Sequence, residues 1–234
     1  MSTDFPILAD ILFLAVTALL IVYAVLGLRH SQQKLGLKSS IPVVVIAITG
    51  WLGLLSALAI NGFFADFMAL PPRVMLPVLA CFITIFLLAF NRKFMRHVMA
   101  LPPAWLIAPQ AFRILVEIVL WMLHKNENAP VQMSFEGLNF DILAGLSAPV
   151  IAYLAFGQGR KRYTLALVWN FISLGLLINI LVVAVLSMPL IGMFEDPNTV
   201  VAYFPYILLP GFVAPFAFFM HVVSIRQLLK LRRS

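Results

Sequence analysis

The chain is short of charge. Asp, Glu, Lys and Arg make up 11% of its 234 residues, whereas 63% are hydrophobic. Soluble domains carry about 25% charged and about 45–50% apolar residues, so no soluble core of this size hides so much apolar surface. Cysteine is scarcer still. Cys81 stands alone inside an apolar run, which excludes an intramolecular disulfide and reads as a packing residue. There is no glycine-rich phosphate loop and no Gly-x-Ser-x-Gly elbow. His30, His97, His124 and His221 are scattered, without the paired spacing of a metal site. No lysine falls inside an apolar run, which excludes a retinal Schiff base. The opening stretch from Met1 to Pro6 has no basic segment, and no small-residue cleavage site clearly follows the first run. That run therefore reads as a retained helix rather than a signal peptide.

What the chain does have is apolar length. Runs at about 6–28, 41–63, 74–91, 104–123, 139–157, 164–188 and 201–225 are each long enough, or nearly so, to cross a hydrocarbon core of ~30 Å. Backbone groups in lipid must be satisfied within the segment, so helices are expected throughout. The expected fold is an all-α, polytopic membrane bundle of about seven transmembrane helices forming a single domain. Pro6 and Pro42 sit in first turns, where the missing N–H costs little. Pro205, Pro210 and Pro215 punctuate the last run and predict a kinked or locally unwound helix.

The basic residues set the orientation. Arg29, Lys34 and Lys38 fall in the first connection, Arg92, Lys93 and Arg96 in the third, and Arg160, Lys161 and Arg162 in the fifth. Arg226, Lys230, Arg232 and Arg233 close the chain. No acid shares that side, whereas Asp4, Asp66, Glu127, Glu136, Glu195 and Asp196 lie on the other. Positive-inside bias predicts an external N-terminus and a cytoplasmic C-terminus. The net charge of +7 thus belongs to the membrane surface, and nucleic acid is not an expected partner.

The polar residues inside the runs carry the functional signal. Gln110, Arg113 and Glu117 recur at spacings of three and four, so they share one helical face. Arg113 lies near the bilayer centre, where insertion costs roughly 2.5–3.5 kcal/mol or more, so it must face the bundle interior and find partners. Glu117 is the nearest anion, and a third polar group is expected to join because Arg before Glu is the weaker in-helix order. Asp141, Asn61 and Asn179 are the candidates. Asn139 or Asp141 caps the fifth helix, or Asp141 turns inward toward Arg113. Asn170 reads as an interhelical hydrogen-bonding residue. His221 is a hydrogen-bonded packing residue, a proton relay or a cofactor ligand.

Helices one to three and five to seven share features. Asp10-Ile11-Leu12 recurs as Asp141-Ile142-Leu143, and Trp51, Asn61 and Pro71 match Trp169, Asn179 and Pro189 at one common offset. A three-plus-one-plus-three parallel repeat would set Asn61 and Asn179 on two sides of a central site, as in some carriers.

The strings Phe112-Arg113-Ile114-Leu115-Val116-Glu117, Phe135 to Asp141 and Trp169-Asn170 resemble a family of uncharacterised bacterial seven-helix integral membrane proteins. That resemblance implies a bacterial inner-membrane setting and no mechanism. The helix plan is also similar to that of sugar-carrier and PQ-loop proteins, but the only Pro-Gln pair, Pro109-Gln110, falls in the fourth run. Three functions stay open: a small-solute or ion transporter lined by the residues above, a membrane-embedded sensor or accessory subunit with a protein partner or a second copy, and a haem-binding redox protein.

Overall fold

The structure is a computed structural model and describes residues 5–233. Met1 to Asp4, including Asp4 as an outer acid, lie outside the described residues. All regular structure among the described residues is helical: α1 (Ile7–Leu35), α2 (Ile41–Ile60), α3 (Met75–Phe90), α4 (Arg92–Ala100), α5 (Phe112–Lys125), α6 (Asp141–Phe156), α7 (Tyr163–Leu186) and α8 (Ala214–Arg233), with short 3₁₀ and π segments between. Among the described residues six spans are long and apolar enough to cross a membrane, or seven if α3 and α4 count as one broken span. The protein is thus built as a multi-pass membrane protein.

Three elements differ from the runs expected of them. The first helix continues seven residues past position 28, carrying Arg29 and Lys34 on helix, and stops at Gly36, whose φ of 62° only glycine adopts readily. The third run ends where expected, but a second helix follows it directly. Asn91 terminates α3 and caps α4, its side chain accepting from the Lys93 and Phe94 amides. α4 then turns through 79°. It is a short basic amphipathic helix whose Phe94 and Val98 pack with Leu106, Phe219 and Val223, while Arg92, Lys93 and Arg96 stay exposed. The last helix starts late. Prolines without N–H groups break the ladder, so a π segment, Leu209–Val213, precedes α8.

The basic segments meet at one end of the bundle. The Lys34 ammonium donates to the Ala100 carbonyl of α4 (3.2 Å), and Gln227 of α8 donates to the carbonyls of Val98 and Leu101. Leu228 packs with Ala155, beside Phe156 and Tyr163, which flank Arg160 to Arg162. At the opposite end stand the ion pairs Asp66–Arg73 and Glu136–Lys125.

Packing is closest around α6. Ala144, Gly145, Ala148, Ala152 and Ala155 are buried along it, and small residues at such spacing let backbones approach. Gly145 is required: a Cβ there would stand 2.9 Å from the Ile114 backbone nitrogen. This contact holds the start of α6 against α5 and brings Asp141 within reach of Arg113.

Candidate functional site

The fourth run reaches α5 through two 3₁₀ turns, Pro103–Leu106 and Ala108–Ala111, as its prolines require. From there α5 turns one face inward, and Arg113 and Glu117 are each only 2% exposed. An arginine that deep must spend all its donors. Its Nε and Nη2 donate to the two carboxylate oxygens of Asp141 in a bidentate pair. Nη1 donates to Ser173 Oγ (2.7 Å) and faces His221 Nε2 (3.2 Å), while Nη2 also reaches the Ser173 carbonyl (3.4 Å). These contacts use every one of the five N–H groups a guanidinium has. The Arg113–Glu117 pair suggested by spacing is therefore replaced by Arg113–Asp141. Asp141 turns inward instead of capping, and the N-cap position, Phe140, makes no side-chain cap bond; one residue earlier, Asn139 Oδ1 accepts from the Asp141 amide (3.1 Å).

The network continues on both sides of the arginine. Asn170 Nδ2 donates to the Ala166 carbonyl (2.8 Å) and to Ser224 Oγ (3.1 Å), so its Oδ1 is the acceptor turned to His221 Nδ1 (3.0 Å). His221 must then carry its proton on Nδ1 and present a lone pair at Nε2 to Arg113. Both ring nitrogens are engaged in a fully buried side chain, which leaves neither for an iron; the residues present do not fit haem ligation at His221. Toward the other end, Asn139 Nδ2 donates to Glu117 Oε1 (2.7 Å) and to the Met133 carbonyl (3.0 Å). Glu117 Oε2 is different. It is buried and has no hydrogen-bond partner among the described residues.

Glu117 also lines a cavity of about 380 Å³ between α3, α5, α7 and the π segment. The volume lies in the range of about 300–1,000 Å³ typical of small-molecule sites. Its walls are mostly Val, Leu, Ile, Met and Phe, and among the described residues Arg113, Glu117 and Asp141 are the only charged ones lining it. Asn139 lines it beside Glu117, and Asn198 lines it from the loop before the last helix. Asn198 is 1% exposed, and neither its Oδ1 nor its Nδ2 has a partner among the described residues. On α7, Ile178 and Val182 line the cavity while being 45% and 49% exposed, so this wall is also the outer surface of the bundle.

The structure thus brings together Arg113, Glu117, Asp141, Asn170 and His221. Gln110 is buried nearby on the same face, its amide donating to the Ala217 carbonyl of α8 (3.2 Å). Asn61 and Asn179 stand apart from the cluster. Asn61 is the exposed C-terminal cap of α2, donating to the Ala57 carbonyl of its own helix, and half-buried Asn179 donates to the Leu138 carbonyl. Neither lines the cavity. Ser173 and Ser224 escaped the sequence reading, although each lies three residues beyond a recognised polar residue, Asn170 and His221, on the same helical face. Asn198 follows Asp196-Pro197, a context that reads as a solvated turn and carries no signal of burial. Comparison of the chain with protein-family models, curated proteins and solved structures finds no match.

Proposed function

We propose that the protein is a small-solute or ion transporter of a bacterial inner membrane, with its basic end in the cytoplasm and its N-terminus outside. The observation that carries this reading is the unpartnered carboxylate oxygen of Glu117, a residue lining a mostly apolar cavity. A buried charge without a partner is costly, and intramembrane acids of this kind mark ion and substrate paths. Arg113 has no donor left for an anionic substrate, so Glu117 is the group that meets the cargo and Arg113 with Asp141 holds the helices that frame it. The indole N–H groups of Trp51 and Trp169 both bond across helix contacts, to the Gly211 carbonyl and to Ser147 Oγ. That likeness supports a parallel repeat, whereas the different settings of Asn61 and Asn179 oppose a shared site built from them.

The test is flux. Protein reconstituted in liposomes with a pH-sensitive dye inside should exchange protons or monovalent cations when a gradient is imposed. Glu117→Gln should abolish the exchange while the protein keeps its thermal unfolding profile. Absence of any Glu117-dependent flux across protons, Na⁺, K⁺ and small organic cations would leave a sensor or accessory subunit as the reading. Labelling of cysteines introduced at Lys34, Lys93 and Lys161 by an impermeant reagent on intact cells tests the orientation, and strong external labelling would reverse it.

A further inference from the structure

The same cavity specifies the chemistry of its occupant, an inference that rests on the transport reading only for what happens after binding. Three of its features act together. The first is charge. Arg113 and Asp141 cancel in a bidentate pair, so an ionised Glu117 leaves one negative charge over, and no other charged residue among the described ones lines the space. The second is hydrogen bonding. Glu117 Oε2 offers an acceptor, and Asn198 offers one free acceptor and free donors, all from side chains at least nine-tenths buried. Buried polar groups left unpaired are costly, and a ligand that completes them recovers that cost. The third is shape. Much of the remaining wall comes from Val78, Phe82, Leu181 and Val185 and from Val213, which suits an apolar body and offers little to hold a hydration shell.

We infer that the cavity binds a compact lipophilic monocation, a primary ammonium on an apolar body, with the ammonium on Glu117 Oε2 and the Asn198 amide and the apolar part among the α3 and α7 side chains. An inorganic cation fits the charge but not the walls, since it needs several oxygen ligands at once. A phosphate-bearing headgroup fits neither, because its anion would meet Glu117 while every donor of Arg113 is committed. Access is lateral: Ile178 and Val182, shared between cavity wall and outer surface, let a lipophilic amine already dissolved in the bilayer reach the site without crossing a polar end.

The experiment measures equilibrium binding of radiolabelled 4-phenylbutylamine to the protein in phosphatidylcholine nanodiscs, with empty nanodiscs subtracted. Unlabelled 4-phenylbutanol and 4-phenylbutyrate serve as competitors matched in shape but not in charge. Saturable binding of the amine, displaced at least about tenfold less well by the alcohol and not by the carboxylate, is expected for a charge-assisted contact. Glu117→Gln should weaken it about tenfold or more and Asn198→Ala about threefold, both with unchanged thermal unfolding. Displacement by added phosphatidylethanolamine would overturn the inference, since a phosphate-bearing headgroup is the occupant that the committed Arg113 donors exclude. Equal competition by amine and alcohol would overturn the inference on the wild-type protein alone, whether or not the variants fold. The two readings fail separately: Glu117-dependent flux of protons or Na⁺ without amine binding removes this inference and keeps the transporter. Amine binding without flux of any solute does the reverse.

Discussion

α2 and the fourth span, Pro103–Lys125, both cross the bundle, yet they are built on opposite rules. In the most apolar stretch of α2 only 17% of residues are buried, against 56% in the fourth span. α2 carries no charge and turns Val43, Ile46 and Leu54 outward, each at least half exposed. The fourth span is interrupted by prolines, holds Gln110, Arg113 and Glu117, and buries all three. In lipid, apolar surface gains little from the interior, so a strongly apolar helix stays on the outside. A polar one is driven inward, because only there can its groups be satisfied. The span buried over the largest share of its length is the one around which the site is organised.

Breaking the polar centre should have the largest effect. Arg113→Leu leaves Asp141 buried and unpaired, which should destabilise the protein by about 3–5 kcal/mol, and Asp141→Leu should cost a similar amount. The double replacement removes both charges and should cost less than either single change. Ile46→Ala on the outer face of α2 should stay within about 0.5 kcal/mol. Unfolding titrations in mixed detergent micelles read all four. Additive losses, with the double variant worst, would show that Arg113 and Asp141 do not form one electrostatic unit.

Glycines sharpen the same contrast with a smaller effect. A Cβ at Gly145 runs into the Ile114 side chain and backbone, whereas one at Gly50 or Gly53 of α2 meets nothing within 4 Å. Gly145→Val should cost about 1–3 kcal/mol by overpacking. It should also pull Asp141 away from Arg113, so its effect should shrink in the Arg113→Leu, Asp141→Leu background. Gly50→Ala should be neutral or slightly stabilising, since alanine is the better helix former. A tolerated Gly145→Val would mean that α5 and α6 do not touch as closely as the structure has them.

Much of this plan was legible in the residues. Apolar run length locates the spans, and the one-sided basic residues anticipate the end of the bundle where Lys34, α4 and Gln227 meet. Spacing puts Arg113 and Glu117 on one buried face, because a helical face is a local property. Which acid pairs with the arginine was not legible. Asp141 lies 28 residues away on another helix, and the pairing depends on Gly145 allowing α6 to close on α5. The turn at Asn91 was hidden for a related reason: hydropathy records that α3 ends but not that the chain bends by 79° into a second helix. Asn198 was hidden most completely, since loop residues are polar by default and burial of one is decided only by tertiary packing.

The smallest expected effect lies outside the membrane, where Lys125 at the end of α5 donates to Glu136 Oε2 (2.6 Å) and Trp121 donates to Oε1 (2.9 Å). Both groups are partly exposed, so this pair sits at the opposite extreme from Arg113 and Asp141: it is hydrated, and salt screens it. The hydrogen bond from Lys125, followed by that from Trp121, holds the Glu136 carboxyl below its ordinary value. The sign follows from linkage. A carboxyl whose folded pKa is depressed contributes stability that is fully present above its unfolded pKa, about 4.3 for Glu, and that contribution is lost as pH falls through the folded value. Lys125→Ala, Glu136→Gln and the double variant therefore form a cycle whose coupling should be small and favourable at pH 7. The coupling should fade in high salt and vanish in acid strong enough to protonate Glu136 in both states. Unfolding midpoints measured at pH 7 and in acid check it. A coupling that persists unchanged in acid would mean that the contact is held by packing around Trp121 and Phe135 and not by charge. It would also erase the electrostatic difference between the two ends of α5.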